Sequence, residues 1–551
     1  MGRTRRSEDN FLVQGSILAF ASLLSRIIGL LYRIPLTSIL GDNGNDYYGV
    51  AMEIYSILLL ISSYSLPLAV SKLVSARVAK GQRRNAYRIF KGAMVFAVIS
   101  GTAVGLVVFF GAEFITTYLY KTPLSVFAFK VLAPTLLVVA ILGVIRGFFQ
   151  GLGTMMPSAF SQLIEQIVNA VVSIWAAYML YSYGARIGDV LGGKNNYAQA
   201  YAAAGGTIGT GAGAVIALLF VIFVFAAYKP IFKKQMRRDR SNYVESYKTV
   251  FKVLILTIVP VIISTTIYNI SSTIDAGLFK NIAAIQNVPD YSAKWGIFTG
   301  KYKTLTNVPI AIASSLAASS VPSLSNAFAA KDMRQVREKI HSSIHFIMII
   351  AFPCAVGLGV LASPILQLLF RDSREISSSM LQVGAVSVIF YSLSTLSNAI
   401  LQGINRMKVP IKNAAIALVL HIGVLCALMY VFKLHIYAVI IANAFFSFIM
   451  CILNNRAIRK YVNYRQEMKK TFLIPAISSG VMGVVVYVIY FLGMKVIKIN
   501  AVSTLLSICI GVLVYGILIL LLRGLTAQDL KTFPKGALIA KIARKFHLLR
   551  K

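Results

Sequence analysis

Arg26 and Arg33 stand seven residues apart in the first long apolar segment of the chain, within Leu24-Ser25-Arg26-Ile27-Ile28-Gly29-Leu30-Leu31-Tyr32-Arg33. Seven residues is close to two helical turns, so on a helix both side chains share one face. A guanidinium is costly in hydrocarbon and cannot lose its proton to reduce the cost. Two fixed positive charges on one face of an apolar helix therefore point to a wet cavity, and the occupant this chemistry favours is an anion. Two further bases within an apolar segment are Lys301 and Lys303 in Gly300-Lys301-Tyr302-Lys303. Two positions apart is about 200° around a helix, so one of the two is expected to face such a cavity and the other to turn away. Lys72 reads as a side chain snorkelling to an interface, and Lys130 as a charge near the end of a span.

The acids are few: 18 against 55 lysines and arginines. Glu53, Glu165 and Asp275 fall within or at the ends of apolar segments, and Asp42 and Asp46 in the first connection. Asp46, Glu53 and Asp275 are candidates for gating or for coupling to an ion. The simpler readings are neutralisation of the arginines for Glu53 and Asp275, and a solvated loop acid for Asp46. Pro67 and Pro309 interrupt spans two and eight and are candidate hinges, since proline opens a backbone hydrogen bond. The cysteines, Cys354, Cys426, Cys451 and Cys509, lie in apolar stretches without CxxC spacing and read as core residues. Neither a metal-ligand pattern, a Walker A loop nor a nucleophile elbow is present. The expectation is a protein without catalytic residues, metal or cofactor, and so not an enzyme.

The elements that must carry these residues are membrane helices. The chain has 551 residues, of which 57% are hydrophobic and 13% charged, against about 25% charged in a soluble domain. At about 20 apolar residues per crossing, it accommodates about fourteen spans in an all-α polytopic protein. Net charge is +37, which invites a nucleic-acid reading, but lysine and arginine concentrate in alternate connections. This distribution follows the positive-inside rule, places both termini in the cytoplasm and makes anionic lipid, not nucleic acid, the partner of the basic loops. The basic start Met1-Gly2-Arg3-Thr4-Arg5-Arg6 precedes a segment too long and too charged for a cleavable signal.

Two halves recur. Gln150-Gly151 after span four has a counterpart in Gln402-Gly403 after span ten, and Ala79-Lys80-Gly81 one in Ala330-Lys331-Asp332 at nearly the same offset. The organisation read from this is a lobe of six spans over 1–228, a basic linker at 229–250, a second six-span lobe over 251–455, two further spans over 456–522, and a basic amphipathic tail over 523–551. Parallel repeats of this kind place substrate between them.

On these residues the chain resembles the multidrug/oligosaccharidyl-lipid/polysaccharide exporter superfamily. Ser25-Arg26-Ile27-Ile28-Gly29 with Arg33, and Val321-Pro322-Ser323-Leu324-Ser325 at the end of span eight, resemble MurJ-type lipid II flippases, and Asp46 after Gly41 is placed like an aspartate of that family. Fourteen spans fit the same branch, in particular its Gram-positive members akin to stage V sporulation protein B. The family's span-eight arginine is replaced here by Lys301 or Lys303. The resemblance implies a flippase in the bacterial plasma membrane that moves an undecaprenyl-diphosphate-linked peptidoglycan precursor, lipid II, outward by alternating access. Arg26, Arg33 and a span-eight lysine would hold the diphosphate, and spans 13 and 14 would offer a groove to the lipid tail. Energy would come from membrane potential, Na+ or H+, and cell-wall synthesis machinery is an implied partner. Alternatives are a flippase for another lipid-linked oligosaccharide or polysaccharide repeat unit, a cation-coupled drug exporter, or a scaffold for cell-wall enzymes.

Overall fold

The computed structural model describes residues 2–239 and 244–525, and every regular element among them is helical. The expected tail helix at 523–551 lies, from residue 526 on, outside the described residues. The chain forms two compact units, 1–300 and 301–551.

The first unit begins with α1 (Gly2–Leu59). Phe20–Ala79 is 60 residues of nearly unbroken apolar helix. Laid straight it would measure about 90 Å, three times a bilayer's hydrocarbon core. Gly41 prevents this. Its backbone sits at φ 65°, ψ −176°, a conformation for which glycine is suited, and it divides α1 into two helices. Thr37 and Asn45, and Arg33 and Tyr48, then face one another across the break. A π-helical stretch at Leu60–Tyr64 leads into α2 (Ser65–Ala79). Pro67 follows that stretch, where Gly143 and Gly147 leave no room for a Cβ beside it.

The unit continues through α3 (Arg83–Phe114), α4 (Ser125–Gly151), α5 (Met156–Leu191) and α6 (Lys194–Arg237). α5 and α6 pack backbone to backbone: a Cβ on Gly205 would lie 2.5 Å from the carbonyl carbon of Ala176, and one on Gly213 2.5 Å from the Glu165 oxygen. Small residues at such contacts let membrane helices approach and gain dispersion energy where burial against lipid gains none. Phe90, Phe148, Phe225 and Phe232 fill the junction of α3, α4 and α6, with Phe90 and Phe148 centroids 4.7 Å apart.

This unit runs past the joint expected at 229–250. The reason is α7 (Tyr247–Asn269), whose Val250, Leu254 and Ile258 enter the same core as Leu66–Val74 of α2 and Ala86–Ala97 of α3. Two acids within the linker fasten it. Glu245 receives Arg77 at 3.0 Å, and Asp239 accepts from the Arg84 amide at 2.8 Å. α8 (Ser271–Ile285) and α9 (Tyr291–Ile297) complete the unit.

The second unit starts within a π-helical stretch, Phe298–Tyr302, and holds α10 (Lys303–Ala329), α11 (Met333–Val360), α12 (Ala362–Phe370), α13 (Glu375–Gly384), α14 (Ser387–Gly403), α15 (Lys408–Tyr430) and α16 (Ile436–Val462). α10, α11, α14 and α16 share one apolar core, including Ala317, Ile344, Leu396 and Ile458. Asn454 donates to Ser397 and Asn398 and accepts from Asn413, so the buried amides satisfy one another. Pro309 is buried in α10. Then α17 (Ile474–Val496) and α18 (Asn500–Leu521) dock on α11 and α12 through Val486, Ile519 and a hydrogen bond of 2.7 Å from the Tyr515 hydroxyl to the Ile349 carbonyl.

Among the described residues, ten helices are long and apolar enough to cross a membrane, or eleven with α13 and α14 as one bent span. With Phe20–Ala79 folding back at Gly41, and the apolar α7 and α10 as further helices of crossing length, this is consistent with the expected fourteen.

Candidate functional site

α1 and α5 meet along a polar strip. Ser22 donates to Gln162 Oε1 at 3.0 Å, Asn169 Nδ2 donates to the Tyr32 hydroxyl at 3.3 Å, and Ser173 donates to Asn169 Oδ1 at 2.9 Å. Ser25 Oγ and Gln166 Oε1 are buried on it without a hydrogen-bond partner among the described residues. Gln162, Glu165, Gln166, Asn169 and Ser173 recur at helical spacing, and that recurrence in an apolar segment was the available signal for this face.

Arg26 and Arg33 both lie on the first half of α1. Arg26 is exposed and Arg33 half-buried. The Arg33 guanidinium carbon sits 4.2 Å from the centre of the Tyr48 ring, a cation–π contact. Its Nη2 lies 3.4 Å from Asn45 Oδ1, and its Nη1 is buried with no hydrogen-bond partner among the described residues. Neither arginine is ion-paired within the described residues, so neutralisation by Glu53 is not what holds them. Five fixed N–H donors with one terminal nitrogen unsatisfied form a receptor for a planar or tetrahedral oxyanion.

Arg146 was passed over in the sequence because it stands at the end of span four, where a basic residue is ordinary. It reaches Glu165 Oε2 at 2.8 Å and donates to Ser161 at 2.8 Å. It thus adds a charged pair to the same face of α5.

Asp46 is not a solvated loop acid. It is fully buried and paired with Lys280 of α8 at 2.5 Å, and Ser292 donates to its second oxygen. Lys280 is as buried, and also donates to Thr122 at 2.5 Å. Lys280 went unmarked in the sequence because its segment reads as a connection, whereas it extends a helix that starts at Ser271. Asp275, on the same helix, is buried. Around this pair α1 lies close against α9 and the π-helical stretch Phe298–Tyr302 that continues it. Thr299 lies against Gly49, Asn45 against Gly300, and the Asp42 carbonyl against Gly296, none leaving space for a Cβ.

In the second unit, Lys301 is buried with its ammonium 2.6 Å from Asp372 Oδ2. Asp372 lies in the connection from α12 to α13 and also accepts from Arg374 Nε at 2.9 Å, Arg374 Nη2 at 2.8 Å and Ser377 at 2.7 Å. Burial pushes its carboxyl up, but the hydrogen bonds from Arg374, Lys301 and Ser377 outweigh it and hold the group well below the usual carboxylate range. Lys301 is therefore committed to Asp372, while Lys303, at the start of α10, is half-buried.

The profile of the family described as polysaccharide biosynthesis protein matches residues 12–328, and that described as MatE matches residues 302–427. The lipid II flippase MurJ of Bacillus subtilis (strain 168) is 24% identical over 493 residues, covering 87% of this chain and 88% of its own. Stage V sporulation protein B of the same organism is 25% identical over 425 residues, covering 77% and 78%. A solved structure of the lipid II flippase MurJ in an inward closed conformation superposes with a TM-score of 0.67 at 16% identity, over 91% of this chain and 97% of that one. The relatives named as flippases are transporters.

Proposed function

Because the chain belongs to the family of polysaccharide biosynthesis proteins, and is a membrane-embedded transporter and not an enzyme, we propose that it is a flippase carrying lipid II from the inner to the outer leaflet by alternating access. The observation that carries this reading is Arg33, a permanent cation on an apolar helix whose Nη1 is buried and unsatisfied. A diphosphate supplies the oxygens that such a fork lacks. Arg26, seven residues before Arg33, extends the positive strip toward the start of α1. Lys301 anchors the α12–α13 connection through Asp372. With both termini in the cytoplasm, the Asp46–Lys280 pair lies toward the outer side and acts as the outer gate, while Pro67 and Pro309 allow their spans to bend. Membrane potential, negative inside, favours outward movement of an anion by about 2.3 kcal/mol per charge per 100 mV.

A second reading is a flippase for another lipid-linked glycan. It is favoured by the similarity to stage V sporulation protein B, which is as extensive in identity as that to the lipid II flippase. Complementation separates the two. In a bacterium whose lipid II flippase is switched off, the unaltered chain is expected to restore growth and Arg33→Ala to fail while still inserting. Absence of rescue by the unaltered, correctly inserted chain selects the second reading. Equal rescue by both removes Arg33 from the site.

A further inference from the structure

Asn45 joins Arg33 to the place where α1 reverses and crosses α9. Its Nδ2 donates to the Thr37 carbonyl at 2.8 Å and to the Gly41 carbonyl at 2.7 Å, the residue of the break itself. Its Oδ1 accepts from Arg33 Nη2 at 3.4 Å. Its side chain lies where a Cβ on Gly300 would be, and its own carbonyl is 3.3 Å from the Thr299 hydroxyl. Thr37, whose carbonyl Asn45 holds, donates to the Gly300 carbonyl at 3.2 Å. One fully buried amide thus has both donors on the Gly41 reversal, its acceptor on the arginine, and its bulk on the crossing.

We propose that Asn45 is a positioning residue that makes closure of the α1–α9 crossing depend on whether Arg33 holds an anion. This rests on the reading of Arg33 as a diphosphate ligand. With the site empty, Arg33 divides its donors between Asn45 and an unfilled position. An anion that engages both terminal nitrogens draws the guanidinium toward itself, and because the Nη2 contact to Asn45 is already long at 3.4 Å, that movement breaks it even though Nη2 carries two N–H groups. The buried Oδ1 then has no donor, which is unfavourable while the crossing stays closed. Separation of α9 from α1 hydrates that oxygen. The anion therefore binds more tightly to the opened crossing than to the closed one, and a ligand shifts a conformational equilibrium only by such a difference. In the proposed orientation the crossing is on the outer side, so loading would loosen the gate through which the substrate leaves.

Trp295 reports on the crossing. It is fully buried, packed between Phe279 at 5.3 Å and Phe298 at 5.1 Å, beside Gly296. In full-length protein in detergent, with the other tryptophan removed as Trp175→Phe, farnesyl diphosphate serves as probe. Its binding is followed by calorimetry and the crossing by Trp295 emission. The expected result is binding with a red shift of emission, and loss of binding in Arg33→Ala. In Asn45→Ala the probe still binds, within a factor of about three, because only one long hydrogen bond to the empty site is removed, but emission no longer responds. An Asn45→Ala protein whose emission responds as before overturns the relay alone. Failure of the unaltered protein to bind, or equal binding by Arg33→Ala, overturns the diphosphate reading and the relay with it. Asn45→Asp provides a second test should the alanine variant not fold. Its carboxylate holds Arg33 as an ion pair and is expected to weaken probe binding about tenfold; unchanged affinity overturns the relay.

Discussion

Lys280 and Asp46 are both wholly buried, and each ion's desolvation has to be offset by the other, with Thr122 and Ser292 taking up remaining hydrogen-bond capacity. A buried pair of this kind is worth little against apolar replacements, but removing one partner strands the other charge. Asp46→Asn is accordingly expected to destabilise by about 3–5 kcal/mol. Asp46→Asn combined with Lys280→Met should recover most of that loss, because no charge is left behind. Thermal unfolding in detergent reads both variants. A double variant as unstable as the single one would mean that the carboxylate matters for its contact with Ser292 and not for its charge. The two arginines were legible at this scale, since a guanidinium in an apolar segment is conspicuous whatever it touches. The partner of Asp46 was not. Lys280 is 234 positions away, and no local pattern announces a pairing made only when α8 meets α1. The partner of Lys301 was hidden for a related reason: spacing shows that Lys301 and Lys303 diverge, but Asp372, which Lys301 contacts, lies in a distant connection.

At the scale of elements, the apolar runs located most of the helices though not their ends, α5 and α6 reaching Leu191 and Arg237 beyond the spans expected for them, and Gly41 appeared only as a short connection. The placement of α7 was hidden. Its apolar face fits either lobe, and the choice is made by Val250, Leu254 and Ile258 against α2 and α3 together with Glu245 on Arg77. Glycine use separates packing from propensity. Gly205 in α6 has the Ala176 backbone 2.5 Å from where a Cβ would be, whereas Gly480 in α17 has nothing within 4 Å. Gly205→Ala must push α5 from α6 and is expected to cost about 1–3 kcal/mol. Gly480→Ala should be neutral or stabilising by up to about 1 kcal/mol, the helix-propensity difference. Unfolding midpoints of the two variants test this, and equal destabilisation would place a partner on the α17 face.

For the whole molecule, the net charge of +37 and its concentration in alternate connections bear on energetics as well as topology. If the termini lie on the cytoplasmic side, as the charge distribution leads one to expect, the basic ends lower the potential energy of an anionic headgroup at the face where it loads, and this attraction resists departure. Something must supply the work of release. The substrate class proposed here carries its charge on phosphate, and an electric field negative inside acts on it in the outward direction. Two charges moved across 100 mV gain about 4–5 kcal/mol, enough to change a distribution between leaflets by more than a thousandfold. If the chain carries the anion without a compensating ion, outward movement of a lipid diphosphate in proteoliposomes should rise steeply with an imposed potassium-diffusion potential, negative on the side of the termini, and vanish when valinomycin and equal potassium clamp the potential to zero. The same series with sodium or proton gradients at zero potential isolates coupling through Glu53, Asp275 or the Asp46–Lys280 pair. Movement that ignores the potential but follows one of these gradients would mean that the cycle is electroneutral, with a cation crossing alongside the diphosphate.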